Sequence, residues 1–438
     1  MELSPLVTGG IVFGMLFAMI VTGIPMAFAL ATVGIISLAF FAGGMQTLVA
    51  PILYNTINSF TLTAIPFFVF AGELVLKSGL SDRLYEGVSK WTSIIPGGLT
   101  QSNIAASSIF AAVSGSSVAT AATIGTVAIR RQEGMGYDRK LVAGSLAAGG
   151  TLGILIPPSI CMIVYGAFQE VSVPRLFIGG VIPGIILAFL FMFTIMLITW
   201  INPQSSPKRE KITWGYFPKA LMALRDIWPM GIFILVIMGG IYTGIMTPTE
   251  AAAIACVLSL GIAAVMRKLS RRVVWDAAQS SLRTTSFILF ILVGAGTVSN
   301  ALSMIKFPAM LMEVVLNVGM APLLIWIGVC LIYLLLGCFM DGFSVMLITL
   351  PVVFPVLIEG LGFDPIWFGV LLTILIEAGL ITPPLGINVY VIHGIAGGDL
   401  GGIFKGITPF LICMIIALII MTAFPWLVTW LPSTMMGG

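Results

Sequence analysis

The sequence predicts an all-α polytopic membrane protein built as an inverted repeat, and three observations carry that reading. First, hydrophobic residues make up 59% of the 438-residue chain, charged residues only 8%, and mean hydropathy is +1.14. Apolar runs of about twenty residues, the length that crosses a bilayer core, recur from end to end, which excludes a soluble fold with one large core. Second, the segment 111–166 recurs 226 positions later at 337–392, with ten identities in 56 ungapped pairs. The identities are grouped: Glu133, Gly134, Gly136 and Asp138 match Glu359, Gly360, Gly362 and Asp364, and Gly153, Pro157 and Pro158 match Gly379, Pro383 and Pro384. Thr22-Gly23-Ile24 matches Thr243-Gly244-Ile245 at an offset of 221, so the duplication extends upstream with small gaps. Third, 18 of the 20 Lys and Arg residues fall in loops 77–91, 130–140, 203–226, 267–283 and 397–405, leaving Arg175 and Lys306. These loops share one side if each half has five spans and one hairpin that returns to its side of entry, and the positive-inside rule makes that side cytoplasmic. Loop 130–140 carries Arg130, Arg131, Arg139 and Lys140, while its counterpart 356–366 carries no basic residue. Equivalent loops therefore face opposite sides, with both chain termini periplasmic.

The first repeat covers 1–202, a cytoplasmic linker 203–226, and the second repeat 227–438. Residues 5–42 supply two spans parted at Thr22-Gly23-Ile24-Pro25, because glycine and proline interrupt a helix. The polar-flecked stretch 46–59 reads as a surface segment, 60–76 as a span, and a polar helix with Lys77, Arg83 and Lys90 follows. The run 96–130 is interrupted at Ser114 to Ser117 and its arms are short, which predicts a re-entrant hairpin. A non-helical tip at that depth is tolerated only where protein or water satisfies its backbone groups. A broken segment over 140–170 and a span over 174–201 complete the half. After the linker come spans at 228–246 and 249–266, an amphipathic basic surface piece at 267–283 and a span at 284–302. A second hairpin at 322–358, a second broken segment at 365–396 and a last span at 404–431 follow.

Broken segments at matched positions of two halves point to a transporter binding site. Helix N-termini there offer N–H groups and a positive dipole end to an anion, while C-termini and unwound backbone offer carbonyl oxygens to a cation. The candidates for binding sodium and substrate are Ser114, Gly115, Ser116, Ser117, Thr151, Gly153, Pro157, Asp341, Gly342, Ser344, Gly379, Thr382, Pro383 and Asn388. Hydroxyl and carbonyl oxygens suit a hard cation such as sodium better than a transition metal. Asp341 is the one acid at a hairpin tip, and an intramembrane carboxylate is costly unless used or paired. Ser299, Asn300 and Glu377 are weaker substrate-site candidates, resting on polarity in apolar surroundings. Glu73 and Lys77 read as an intrahelical i, i+4 ion pair, Glu250 as a first-turn residue, and the single histidine, His393, as structural.

Several function classes drop out. The basic residues are scattered through short loops, so the net charge of +3 does not point to nucleic acid. The five cysteines lie in apolar segments without metal-type spacing and read as packing residues. No P-loop pattern, Gly-x-Ser-x-Gly, His-Glu-x-x-His or Cys-x-x-Cys occurs, which disfavours nucleotide-driven transport within this chain. Ala27-Phe28-Ala29 imitates a signal-peptidase site, but no Lys or Arg precedes it. An intramembrane enzyme using Asp341 and Glu377 as a carboxylate pair is the remote alternative, and no cofactor is expected.

The runs Ala112-Val113-Ser114-Gly115-Ser116-Ser117-Val118-Ala119-Thr120, Gly153-Ile154-Leu155-Ile156-Pro157-Pro158-Ser159 and Gly379-Leu380-Ile381-Thr382-Pro383-Pro384-Leu385-Gly386-Ile387-Asn388 resemble the large permease (M) subunit of TRAP transporters, the tripartite ATP-independent periplasmic family. The resemblance covers essentially the whole chain. It implies sodium-driven import of an organic acid, such as a C4-dicarboxylate or sialic acid, across a bacterial inner membrane. It also implies a separate small membrane (Q) subunit and a periplasmic substrate-binding (P) protein. An elevator is implied, with a transport domain holding both hairpins and both broken helices that slides against a scaffold. By position, the family's sodium sites map onto the tips at Ser114 to Ser117 and Asp341 to Ser344, and onto the breaks at Gly153 to Pro158 and Gly379 to Asn388. A self-sufficient sodium- or proton-coupled carboxylate transporter is the alternative.

Overall fold

The computed structural model describes residues 4–207 and 216–436, which form twenty α-helices with no strand among them. In the first half, α1 (Pro5–Val21) and α2 (Met26–Phe40) part at a turn in which Gly23 takes φ +79°. The short amphipathic α3 (Val49–Ile57) meets the span α4 (Ala64–Lys77) at a bend of 58°, and the polar α5 (Leu80–Thr92) follows. Helices α6 (Leu99–Ser114) and α7 (Ser117–Gln132) pack on each other as the expected first hairpin. Helices α8 (Arg139–Leu155) and α9 (Ile160–Phe168) are the two parts of the first broken segment, and α10 (Val173–Ile201) closes the half.

The second half begins with α11 (Tyr216–Tyr242), α12 (Pro248–Val265) and α13 (Arg271–Met304). After α14 (Phe307–Asn317), α15 (Pro322–Gly337) and α16 (Gly342–Phe354) make the second hairpin, the latter extended by a wider turn to Gly360. Then come α17 (Pro365–Gly379) and α18 (Ile387–Ala396), the second broken segment, and finally α19 (Leu400–Ala423) and α20 (Trp426–Met436).

Three expectations change, and one helix falls where none was assigned. The basic surface piece and the following span are one helix, α13, of 34 residues, because Ser270 caps it and no proline interrupts it. The stretch after it, to which the sequence reading assigns no element, holds α14, which starts where Lys306 takes φ +58° and Pro308 sits in the first turn. The last span stops at Ala423, since Pro425 lacks the N–H needed to continue it, and α20 turns back onto α10. The linker is shorter than expected, because α11 already begins at Tyr216; its residues 208–215 lie outside the described ones.

Packing follows an exchange pattern between the halves. Helix α2 packs on α13 as α12 packs on α4; α6 packs on α8 as α15 packs on α17; α19 packs on α8 as α10 packs on α17. Two groups result. Helices α1 to α4 with α11 to α14 contact one another, and α6 to α10 with α15 to α20 form the other group, joined along a seam where α4 and α13 meet α6, α9 and α16. Helix α5 belongs to both. Lys90 pairs with Asp226 of α11 at 2.9 Å, while the buried Tyr85 hydroxyl donates to Asn103 Oδ1 of α6 at 2.8 Å and accepts from Gln132 Nε2 of α7 at 2.8 Å. Burial raises the Tyr85 hydroxyl's pKa well above the ordinary phenol range, so it stays a donor.

Candidate functional site

Each hairpin tip is sewn to the break of its own half by backbone. At the first, Gly115 takes φ +62°, a conformation glycine tolerates, and its carbonyl accepts from Ile160 N–H at 3.4 Å across the break. At the second, the Cys338 carbonyl accepts from Leu385 N–H at 3.3 Å. The matched glycines permit this closeness. A Cβ on Gly153 would lie 2.4 Å from the Ser116 carbonyl oxygen, and one on Gly379 would lie 2.8 Å from the Gly337 Cα. Both Pro157-Pro158 and Pro383-Pro384 bonds are cis. Ser159 Oγ donates to Ile154 O, and Asn388 N–H donates to Leu380 O at 3.1 Å, closing the two breaks locally.

The returning arms are capped in equivalent ways by different chemistry. Ser116 Oγ accepts from Ala119 N–H at 3.4 Å to cap α7, whereas Asp341 Oδ1 accepts from Ser344 N–H at 3.1 Å to cap α16. Asp341 Oδ2 also accepts from Ser344 Oγ. A carboxylate at a helix N-terminus is stabilised by the dipole, which explains how this acid is tolerated there.

Both tips line a single cavity of about 510 Å³ at the seam. Ser114, Ser116 and Ser117 border it from the first tip and Asp341 and Gly342 from the second, with Cys161 between them. The opposite wall was missed by sequence reasoning: Glu73 and Lys77 of α4 and Ser280 and Thr284 of α13. Glu73 and Lys77 are not within 4.0 Å of each other, so the expected close ion pair is absent, although Lys77 still acts on Glu73 as a nearby positive charge; both side chains line the cavity. Two charged residues in the otherwise apolar run 64–77 were the available signal, read there as a mutual pair.

The remaining candidates divide. Thr151 and Asn388 are fully buried behind the cavity, Thr151 donating to Ala148 O at 2.7 Å and Asn388 Nδ2 to Ala147 O at 3.4 Å; Asn388 Oδ1 has no hydrogen-bond partner. Thr382 Oγ1 turns back to Ala378 O at 2.6 Å. Pro157 and Pro383 shape the breaks without bordering the cavity. Glu377 is fully buried, neither of its oxygens has a hydrogen-bond partner of ordinary geometry, and its polar neighbours include the Leu155 backbone and Cys161. It lies beside Leu155 at the break of the other half and does not line the cavity, on a helix, α17, that packs on both α8 and α9. Ser299 and Asn300 do not reach the tips either; they line a separate cavity of about 320 Å³. Glu250 is the first-turn residue expected, in a capping box with Thr247 at 2.8 Å.

Comparison with known proteins follows this geometry. Residues 13–427 match the family model of the tripartite ATP-independent periplasmic transporter, DctM component. The chain is 35% identical to the C4-dicarboxylate TRAP transporter large permease protein DctM of Vibrio cholerae, over 98% of each chain. It is 30% identical to the isethionate TRAP transporter permease protein DctMQ of Oleidesulfovibrio alaskensis, over 95% of this chain and 65% of that one. The crystal structure of the Alcanivorax borkumensis YdaH transporter is similar in fold, with a TM-score of 0.62 at 14% identity over 89% of this chain and 91% of that one. These relatives are named as transporter components, not enzymes. A helical membrane protein with two hairpins meeting two broken helices, matched almost end to end by that family model, belongs to the TRAP transporters as a large permease, the DctM component.

Proposed function

We propose that this permease imports a small carboxylate, coupled to sodium, by an elevator movement of the hairpin-bearing helices against the group formed by α1 to α4 and α11 to α14. The observation that carries the proposal is the cavity itself, because both tips border it from one group while Glu73, Lys77, Ser280 and Thr284 border it from the other. A site split along a seam between two packed groups can be carried past one wall while its tips stay intact. Sodium, as co-transported cargo, would be met by oxygen donors: the tip serines, Asp341, the backbone at the breaks and the unpartnered Asn388 Oδ1.

The carboxylate class is supported by a relative's name, a C4-dicarboxylate permease, and by one cation that lines the cavity beside the acids Glu73 and Asp341. Lys77 is the one basic residue lining the cavity among the described residues, and it is exposed there. A charge-assisted hydrogen bond contributes about 1.5–3 kcal/mol, so Lys77→Met should weaken anion binding to the inward-facing permease by at least ~10-fold with little change in folding. Unchanged affinity in the purified assembly would remove Lys77 from recognition.

By the loop charges, Lys77 and Ser280 lie near the cytoplasmic ends of α4 and α13, so the cavity as built faces inward. Cysteines at Arg131 and Glu359 should accept an impermeant thiol reagent from opposite sides; labelling from one side only would defeat the inverted topology. The name DctMQ for a relative, of which this chain covers 65%, supports a small membrane subunit as partner, and the family's name supports a periplasmic binding protein delivering substrate at the bacterial inner membrane. Proteoliposomes test the whole reading. Succinate uptake is the probe, expected only with a sodium gradient, the small subunit and the binding protein together. Uptake by this chain alone would instead favour a self-sufficient carboxylate transporter.

A further inference from the structure

The seam holds a second cavity that nothing above uses, lined by Asn55, Thr56 and Ser59 of the α3 end, Ser299 and Asn300 of α13, and Phe168 at the end of α9. We propose that this cavity is the outer docking station of the transport site, the place where the tips and their carboxylate sit when the mobile helices have crossed. The inference rests on the elevator reading and gives it a specific destination.

Three features carry it. The two cavities are bordered by one continuous helix: Ser280, Thr284 and Ile288 of α13 line the first, and Leu292, Gly296 and Asn300 line the second. These residues recur at four-residue steps, so neighbouring members of the series share a face and the lining winds slowly along the seam. Second, along α13 the two linings adjoin at Ile288 and Leu292, which are buried at 0% and 1% exposure. Four residues of helix rise amount to about 6 Å, so on this helix the linings are one turn apart. Third, the outer cavity is polar yet carries no charged lining residue, and one wall belongs to each helix group, as in the inner cavity. Gly296 lets α3 approach, since a Cβ there would lie 2.8 Å from Thr56 Oγ1.

The distance is also reasonable. The centres of the two linings are about twelve residues apart on α13, or about 18 Å at 1.5 Å per residue. That is about half the thickness of a membrane with its headgroups. Substrate would leave neutral amide and hydroxyl partners outside and meet Lys77 inside, so the charged contact forms only after crossing.

The test pairs Val118→Cys, on the first tip, with Thr284→Cys or with Asn300→Cys, in chains lacking the native cysteines and assembled with the small subunit. Right-side-out vesicles are treated with mercuric ion, and Val118→Cys alone with an impermeant maleimide. Cross-links in both pairs are expected, together with external labelling of Val118→Cys. External labelling and a 118–284 cross-link without any 118–300 cross-link would overturn the outer station while leaving the elevator intact. Absence of external labelling throughout would instead count against the elevator reading. If removing the native cysteines impairs assembly, a benzophenone amino acid at position 118 of the native-cysteine chain, mapped by peptide mass, reads the same two contacts.

Discussion

Gly153→Ala should cost the protein at least ~10-fold in uptake and lower its thermal stability, although it adds a single methyl group. That methyl would lie 2.4 Å from the Ser116 carbonyl oxygen and 2.7 Å from Thr120 Oγ1. The first neighbour is backbone at the hairpin tip, so relief requires moving the tip off the break. Overpacking of this kind costs about 1–3 kcal/mol in stability, and more where backbone is the obstacle. Transport should suffer beyond the stability loss, because the displaced atoms border the cavity. Gly379→Ala should behave alike through its contact with Gly337. Gly14→Ala and Gly231→Ala serve as controls, since a Cβ at either meets nothing within 4 Å. Equal uptake and melting temperature across all four variants would refute the tip-to-break packing.

The second large effect concerns Asp341, and it separates structure from coupling. Asparagine caps helices about as well as aspartate, so Asp341→Asn should leave assembly and melting temperature nearly unchanged. Removing the one charge at either tip should shift the sodium concentration for half-maximal uptake upward by ~10-fold or more. Asp341→Ala should add a loss of about 0.5–2 kcal/mol in stability through the missing cap. Sodium titration of succinate uptake in proteoliposomes, beside a melting curve, reads both quantities. An unchanged sodium midpoint in Asp341→Asn would exclude the carboxylate from coupling and leave it a capping residue. Ser116→Ala is the matched variant at the other tip, where the cap is neutral; it should lose the capping stability and shift the sodium midpoint less than Asp341→Asn, because it removes a donor but no charge.

Much of this site was legible in the sequence because it is written twice. Proline pairs in register with glycine and serine interruptions located both breaks and both tips, since glycine permits an unwound backbone and proline interrupts a helix. The far wall was not legible. Glu73 and Lys77 have the spacing of an intrahelical pair, and only the packing of α4 against α13 shows that they face a cavity instead. Ser280 sits in a basic, amphipathic stretch that resembles surface helix and Thr284 at the start of the span read after it, and the continuity of α13 through both depends on what the helix packs against. Glu377 and Asn388 show a different limit: sequence marks them as polar residues near a break, yet their burial behind the cavity is set by neighbours on α8 and α9 more than a hundred and fifty positions away. Helices α14 and α20 were not read for the same reason, since they are short segments whose helicity comes from docking rather than from length.

The seams between tip and break are made of main chain, from Ile160 N–H to the Gly115 carbonyl in one half and from Leu385 N–H to the Cys338 carbonyl in the other. Side-chain truncation leaves those groups in place. A scan that replaces each residue by alanine would therefore pass over these contacts in silence, and would rank the glycines, where alanine adds bulk, above the serines, where it only subtracts a hydroxyl. Exchanging a single amide for an ester at Ile160 or Leu385 would instead delete one donor without touching any side chain. It is there, in the part of the polymer common to every residue, that this permease's variants should be hardest to read from their sequences.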